Sequence, residues 1–182
     1  MEETGRTEFR IRAISKGIGL EEMYILILKE HYGDMLFPIP LTQEEQEMFM
    51  AVMHEKRFTV RPLLDTFRNV MNHTGTILEC ATVTQVEKGE YTVSLEINAG
   101  GEAIQLDCPA PIGLLMALHN RAPIYIADKL LDQNFGHAGK DTFRLPIKAL
   151  NTQFIQEALD DAVSNEQYEL ATLLRDELKR RS

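Results

Sequence analysis

The chain has 182 residues, 44% of them hydrophobic, and a formal net charge of −9. Such a length suits one domain of ordinary size plus an appendage, with enough apolar content to bury a core. The charge argues against a broad Lys/Arg surface of the kind that binds nucleic acid by counterion release. Residues 151–182 hold seven acidic and four basic side chains, net −3, which leaves the preceding body at −6. No basic half offsets an acidic tail, so any phosphate contact has to be local.

In chain order, EFRIRAI (8–14) and MYILILKE (23–30) read as strands, Gly33-Asp34 as a turn, and MLFPIPL (35–41) as a third strand whose prolines demote it toward an edge. A helix follows: Thr42 is its N-cap, and Glu45 three residues on completes a capping box ahead of MFMAVM. A second helix begins near Pro62, with Leu63, Leu64, Phe67, Val70 and Met71 at helical spacing, and stops around Gly75. From 76 to 107 the period changes to two, in three runs separated by Lys88-Gly89 and Ala99-Gly100-Gly101, which is a three-strand meander. After it come an apolar helix at 111–120, a short strand at 123–127, an aperiodic glycine-bearing stretch at 133–150, and a helical tail from 151.

The expected fold is α+β: a mixed, largely antiparallel sheet with helices packed on it, plus a C-terminal helical hairpin. The expected division is a body at 1–132, a connector at 133–150 and the hairpin at 151–182. The apolar runs fall far short of the roughly 20 residues that span a bilayer. MEETGRTEFR has no apolar signal core, so no export is expected. Cys80 and Cys108 lie far apart without ligand-like spacing and fit free thiols in a reducing cytoplasm.

Three blocks carry a resemblance: GDMLFPIPLTQEE (33–45), RPLLDTF (61–67) and LDCPAPIGLLMALHNRAPIYI (106–126). In order and spacing they resemble the bifunctional nuclease family over roughly residues 8–132. FIQEALDDAVSNEQYELATLLRDELKRR (154–181) is similar to the UVR motif, a helical hairpin of excision-repair nuclease subunits, with Leu159, Ala162, Tyr168, Glu169, Ala171, Leu174, Arg175, Asp176 and Leu178 on matching positions. Thr172 replaces a small residue there, which is expected to narrow the room for helix packing.

The first resemblance implies hydrolysis of DNA and RNA, with Arg61, Glu45 and Asp107 as what remains of a phosphate-handling cleft, Asp34 as a weaker candidate, and a divalent metal, Mg²⁺ or Mn²⁺, as the cofactor. Departures weigh against turnover. Where the family has R-P-S-D, this chain has Pro109, Ala110, Pro111 and Ile112, which supply neither a clamp for a phosphorane nor a base for a nucleophile. Where the family has R-P-L-T-H-D, the His and Asp positions are Asp65 and Thr66. Each candidate also has a structural reading: Glu45 in its capping box, Asp107 accepting N–H bonds at the start of the next helix, and Arg61 bridging to one of them.

The chain has no phosphate loop, dinucleotide fingerprint, HExxH, GxSxG or EF-hand pattern. His31, His54, His73, His119 and His137 show no ligand spacing. The alternative to a nuclease is a catalytically inactive binding or assembly module acting through the tail. Two short helices are marginal alone, so the tail needs a surface for its Leu170, Leu173, Leu174 and Leu178 stripe. That surface is the body, a second copy, or another protein.

Overall fold

In a computed structural model, residues 5–16, 23–54, 60–133 and 147–181 are described. Strands β1 (Arg6–Lys16), β2 (Tyr24–Glu30) and β3 (Leu36–Leu41) form one antiparallel meander. Helices α1 (Gln43–Met53) and α2 (Val60–His73) lead to a second meander of β4 (Thr76–Glu87), β5 (Glu90–Ala99) and β6 (Glu102–Pro109). Helix α3 (Ala110–Asn120) then returns the chain to β7 (Ile124–Ala127), and α4 (Thr152–Ser164) and α5 (Tyr168–Arg181) close it.

The sheet runs β3-β2-β1-β7-β4-β5-β6. Strand β7 joins the two meanders: Ile124 lies opposite Phe9 of β1 in antiparallel register and opposite Ala81 of β4 in parallel register. A parallel pair needs a long crossover, and β5, β6 and α3 supply it. The prolines do put β3 on an edge. Between β4 and β5, Lys88 (φ 50°) and Gly89 (φ 81°) both take the left-handed backbone of a tight two-residue hairpin, as do Gly100 (φ 63°) and Gly101 (φ 96°) between β5 and β6.

Alternation along the strands decides which side is core. Phe9, Leu26, Leu28, Val83, Val93 and Leu95 face the helical layer and are buried with Phe49 of α1, Met71 of α2 and Leu114 and Leu115 of α3. Thr82, Thr84, Ser94 and Glu96 point to the face opposite α1, α2 and α3. Gly113 lets α3 sit directly on β5, because a Cβ there would stand 2.6 Å from Val93 Cγ1 and 3.0 Å from Cys108 Sγ.

The α1 capping box is present: Thr42 Oγ1 accepts from the Glu45 N–H at 3.3 Å, and Glu45 Oε2 accepts from the Thr42 N–H at 2.9 Å. The expected stripe on α2 is only partly covered. Met71 is buried and Leu64 half-buried, whereas Leu63, Phe67 and Val70 stay exposed. Of the expected connector, residues 134–146 lie outside the described residues, and Ile147–Ala149 form a 3₁₀ turn.

The tail hairpin docks on the body. Phe154, Ile155, Ala158, Ala162, Ala171 and Leu174 bury one seam against Met23 and Leu150, with Ile25 packed alongside. Arg181 locks the joint: its guanidinium donates to the carbonyls of Lys88 (2.7 Å), Leu150 (2.6 Å) and Ile147 (3.3 Å), and its Nε lies 2.8 Å from Glu177 Oε1. Lys88 Nζ answers by donating to the Arg181 carbonyl at 2.7 Å. Leu170 and Leu173 of the expected stripe face solvent, with Val163 and Tyr168. Thr172 is also exposed and bonds back to the Tyr168 carbonyl at 2.8 Å, so it does not crowd the seam.

Candidate functional site

The expected trio does not form one contact network. Glu45 is held by the α1 cap, and Arg61 approaches Asp65, Nε to Oδ2, at 3.8 Å along α2. Both belong to the helical layer. Asp107 lies opposite Ser94 in the β5–β6 ladder, and residues directly opposite share a face, so its carboxylate belongs to the face opposite α1, α2 and α3. The sheet stands between Asp107 and the other two. Nor does Asp107 cap α3: the N-cap is Pro109, with no side-chain bond, and Pro111 in the first turn removes an N–H that would otherwise need a partner. Asp34, the weaker candidate, is exposed and pairs with Lys29 at 3.3 Å.

Two other constellations emerge. On the helical side, Asp65 faces two guanidinium groups, Arg61 and Arg68 (3.0 Å), and the buried ring of His119 from α3, whose Nε2 is 3.2 Å from Asp65 Oδ1 without hydrogen-bond alignment. Burial, reinforced by the charges of Arg68 and Arg61, pushes the His119 imidazole below its ordinary pKa, against the pull of Asp65. Arg68 also donates to the His119 carbonyl at 3.4 Å, tying α2 to α3. The sequence placed Asp65 one helical step from a family position. Its meeting with His119 depends on how α2 and α3 pack, which no local pattern displays.

On the face opposite α1, α2 and α3, a groove of about 480 Å³ is lined by Arg6, Thr82, Thr84, Ser94, Glu96, Gln105 and Lys129, among others. Arg6 crosses it, stacked 4.5 Å over the Tyr125 ring, paired with Glu96, and donating to Thr82 Oγ1 and Cys80 Sγ at 3.4 Å each. Burial pushes the Cys80 thiol pKa up, which keeps it protonated and unreactive, and both cysteines are free. With the Arg6 guanidinium matched by Glu96, Lys129 leaves the polar lining with one surplus positive charge. Among the described residues, no three His, Cys, Asp or Glu side chains group as a metal site.

Two family models match the sequence: the bifunctional nuclease domain at residues 26–137 and the UvrB/UvrC motif at 152–180. The chain belongs to the bifunctional nuclease domain family. The UvrB/UvrC motif coincides with the docked α4–α5 hairpin. Among characterised proteins there is no match. The described residues of this bifunctional nuclease domain protein contain no helix long and apolar enough to cross a membrane.

Proposed function

We propose that this protein works as a binding and assembly member of the bifunctional nuclease family, with phosphodiester hydrolysis too weak to be its role. The supporting observation is the sheet that lies between Asp107 and the Arg61–Glu45 side. The loss of the R-P-S-D block to Pro109, Ala110, Pro111 and Ile112 points the same way. The binding element in this reading is the outer face of the hairpin, where Val163, Tyr168, Leu170 and Leu173 are exposed while the inner seam is spent on the body. Its partner is a protein with a complementary apolar face, since the acidic chain is poorly suited to nucleic acid.

A second reading keeps the activity the family name carries, hydrolysis of DNA and RNA. It is favoured by the helical-side cluster, in which a neutral imidazole, a carboxylate and two guanidinium groups are the types that phosphodiester cleavage employs. One assay separates the two. Purified protein is incubated with single-stranded RNA and with plasmid in Mg²⁺ or Mn²⁺, beside Asp107→Asn, Asp65→Asn and Arg61→Ala. The first reading expects the same background cleavage from all four preparations. Wild-type turnover that falls about 100-fold in any variant establishes the second.

A further inference from the structure

We infer that the groove on the face opposite α1, α2 and α3 binds a sugar acid, a small hydroxyl-rich molecule that carries a single carboxylate. Its volume of about 480 Å³ falls within the range of small-molecule sites. Its floor is rigid, since it is made of paired strands. Ser94 is only 4% exposed, yet it lines the groove and its hydroxyl has no hydrogen-bond partner among the described residues. A buried hydroxyl is normally satisfied, so this one is placed to bond whatever enters.

The rest of the lining narrows the ligand class. The side chains of Thr84, Gln105 and Lys129 are likewise without hydrogen-bond or ion-pair partners among the described residues. Hydroxyls and an amide that both donate and accept, beside the accepting carboxylate of Glu96, suit a ligand rich in hydroxyl groups. An apolar ligand finds few partners in such a lining. A flat base fares no better, because the Tyr125 ring is taken by Arg6, 4.5 Å from its centroid.

Charge sets the number of anionic groups. Ala127 is the register partner of Arg6, and Lys129 follows it by two residues, so both cations line the groove from the β1–β7 side. Arg6 meets Glu96, Thr82 and Cys80 through Nη1, which leaves the donors on its Nε and Nη2 without partners among the described residues. One carboxylate on the ligand matches Lys129 and this spare edge of Arg6. Asp107, opposite Ser94, and Asp128, whose carboxylate lies close to Gly5, border the groove and repel a second negative group. A phosphate monoester, at about −1.5 to −2 near neutral pH, is therefore disfavoured against a carboxylate.

The test is an amide NMR titration of the full chain with glucuronate, glucose, acetate and glucose-6-phosphate at constant ionic strength, beside Lys129→Met and Ser94→Ala. Glucuronate is expected to give saturable shifts at the amides of Thr82, Ser94 and Gln105, and to bind about tenfold or more tighter than the other three probes. Lys129 is exposed, so Lys129→Met is expected to keep the wild-type far-UV spectrum and to weaken glucuronate about tenfold. Ser94→Ala is expected to weaken it about threefold to tenfold through the lost hydroxyl. Wild type without saturable glucuronate shifts overturns the inference, as does acetate, glucose or the phosphate binding as tightly as glucuronate, or glucuronate binding that is indifferent to Lys129→Met or to Ser94→Ala.

Discussion

Replacing Arg181 by methionine keeps most of the side chain's volume and removes its guanidinium contacts to the Lys88, Leu150 and Ile147 carbonyls and the Glu177 carboxylate. The guanidinium is almost fully buried, with only 6% of the side chain exposed, so water does not replace what is lost. Breaking one partner of a buried charged network costs about 3–5 kcal/mol. At about 2–4 °C per kcal/mol for a protein of this size, the midpoint should fall by roughly 6–20 °C. Thermal unfolding measures the loss, and hydrogen exchange locates it, with protection expected to drop first in α4, α5 and the Lys88–Gly89 turn. Arg180→Met, which removes only a solvent-facing partner of Glu177, should stay near wild type. The network also has a pH signature. Hydrogen bonds from Arg180 and then Arg181 hold the Glu177 carboxyl at about 2, below an ordinary value of 4.5. A carboxyl depressed by folding contributes stability that is complete above the ordinary value and lost as pH falls from about 4.5 toward 2. An Arg181→Met protein with a wild-type midpoint and unaltered exchange in the hairpin would refute the account of the joint.

Gly113→Ala should destabilise by about 1–3 kcal/mol in urea melts, since its methyl would press on Val93 and Cys108 where α3 rests on β5. NMR titration of His119 should give a midpoint below the ordinary 6.5. Because folding lowers that pKa, the contribution of the neutral ring to stability is present above the ordinary value and declines as pH falls through the folded one.

Much of the fold is legible locally. Short β-rich runs marked the strands of the first meander and period-two runs those of the second, Thr42 and Glu45 announced α1, and the prolines of β3 announced an edge. What stayed hidden was long-range. Strand β7 lies between β1 and β4 through pairings of Ile124 with Phe9 and Ala81, far apart in sequence. The same limit governs the candidate site. Asp107 and Arg61 are each visible as residues, but the side of the sheet each occupies follows from the Ser94 register and from how α2 packs. Likewise Arg6 and His119 gain meaning only from neighbours supplied by other elements, Tyr125 and Glu96 for one and Asp65 for the other.

At the Lys88–Gly89 turn, a Cβ on Gly89 would overlap the Leu150 carbonyl, so turn and hairpin are in backbone contact where Arg181 closes over them. The tail is consequently a bracket and not a swinging arm. Whatever grips Leu173 and Tyr168 therefore also fixes the direction in which the sheet points.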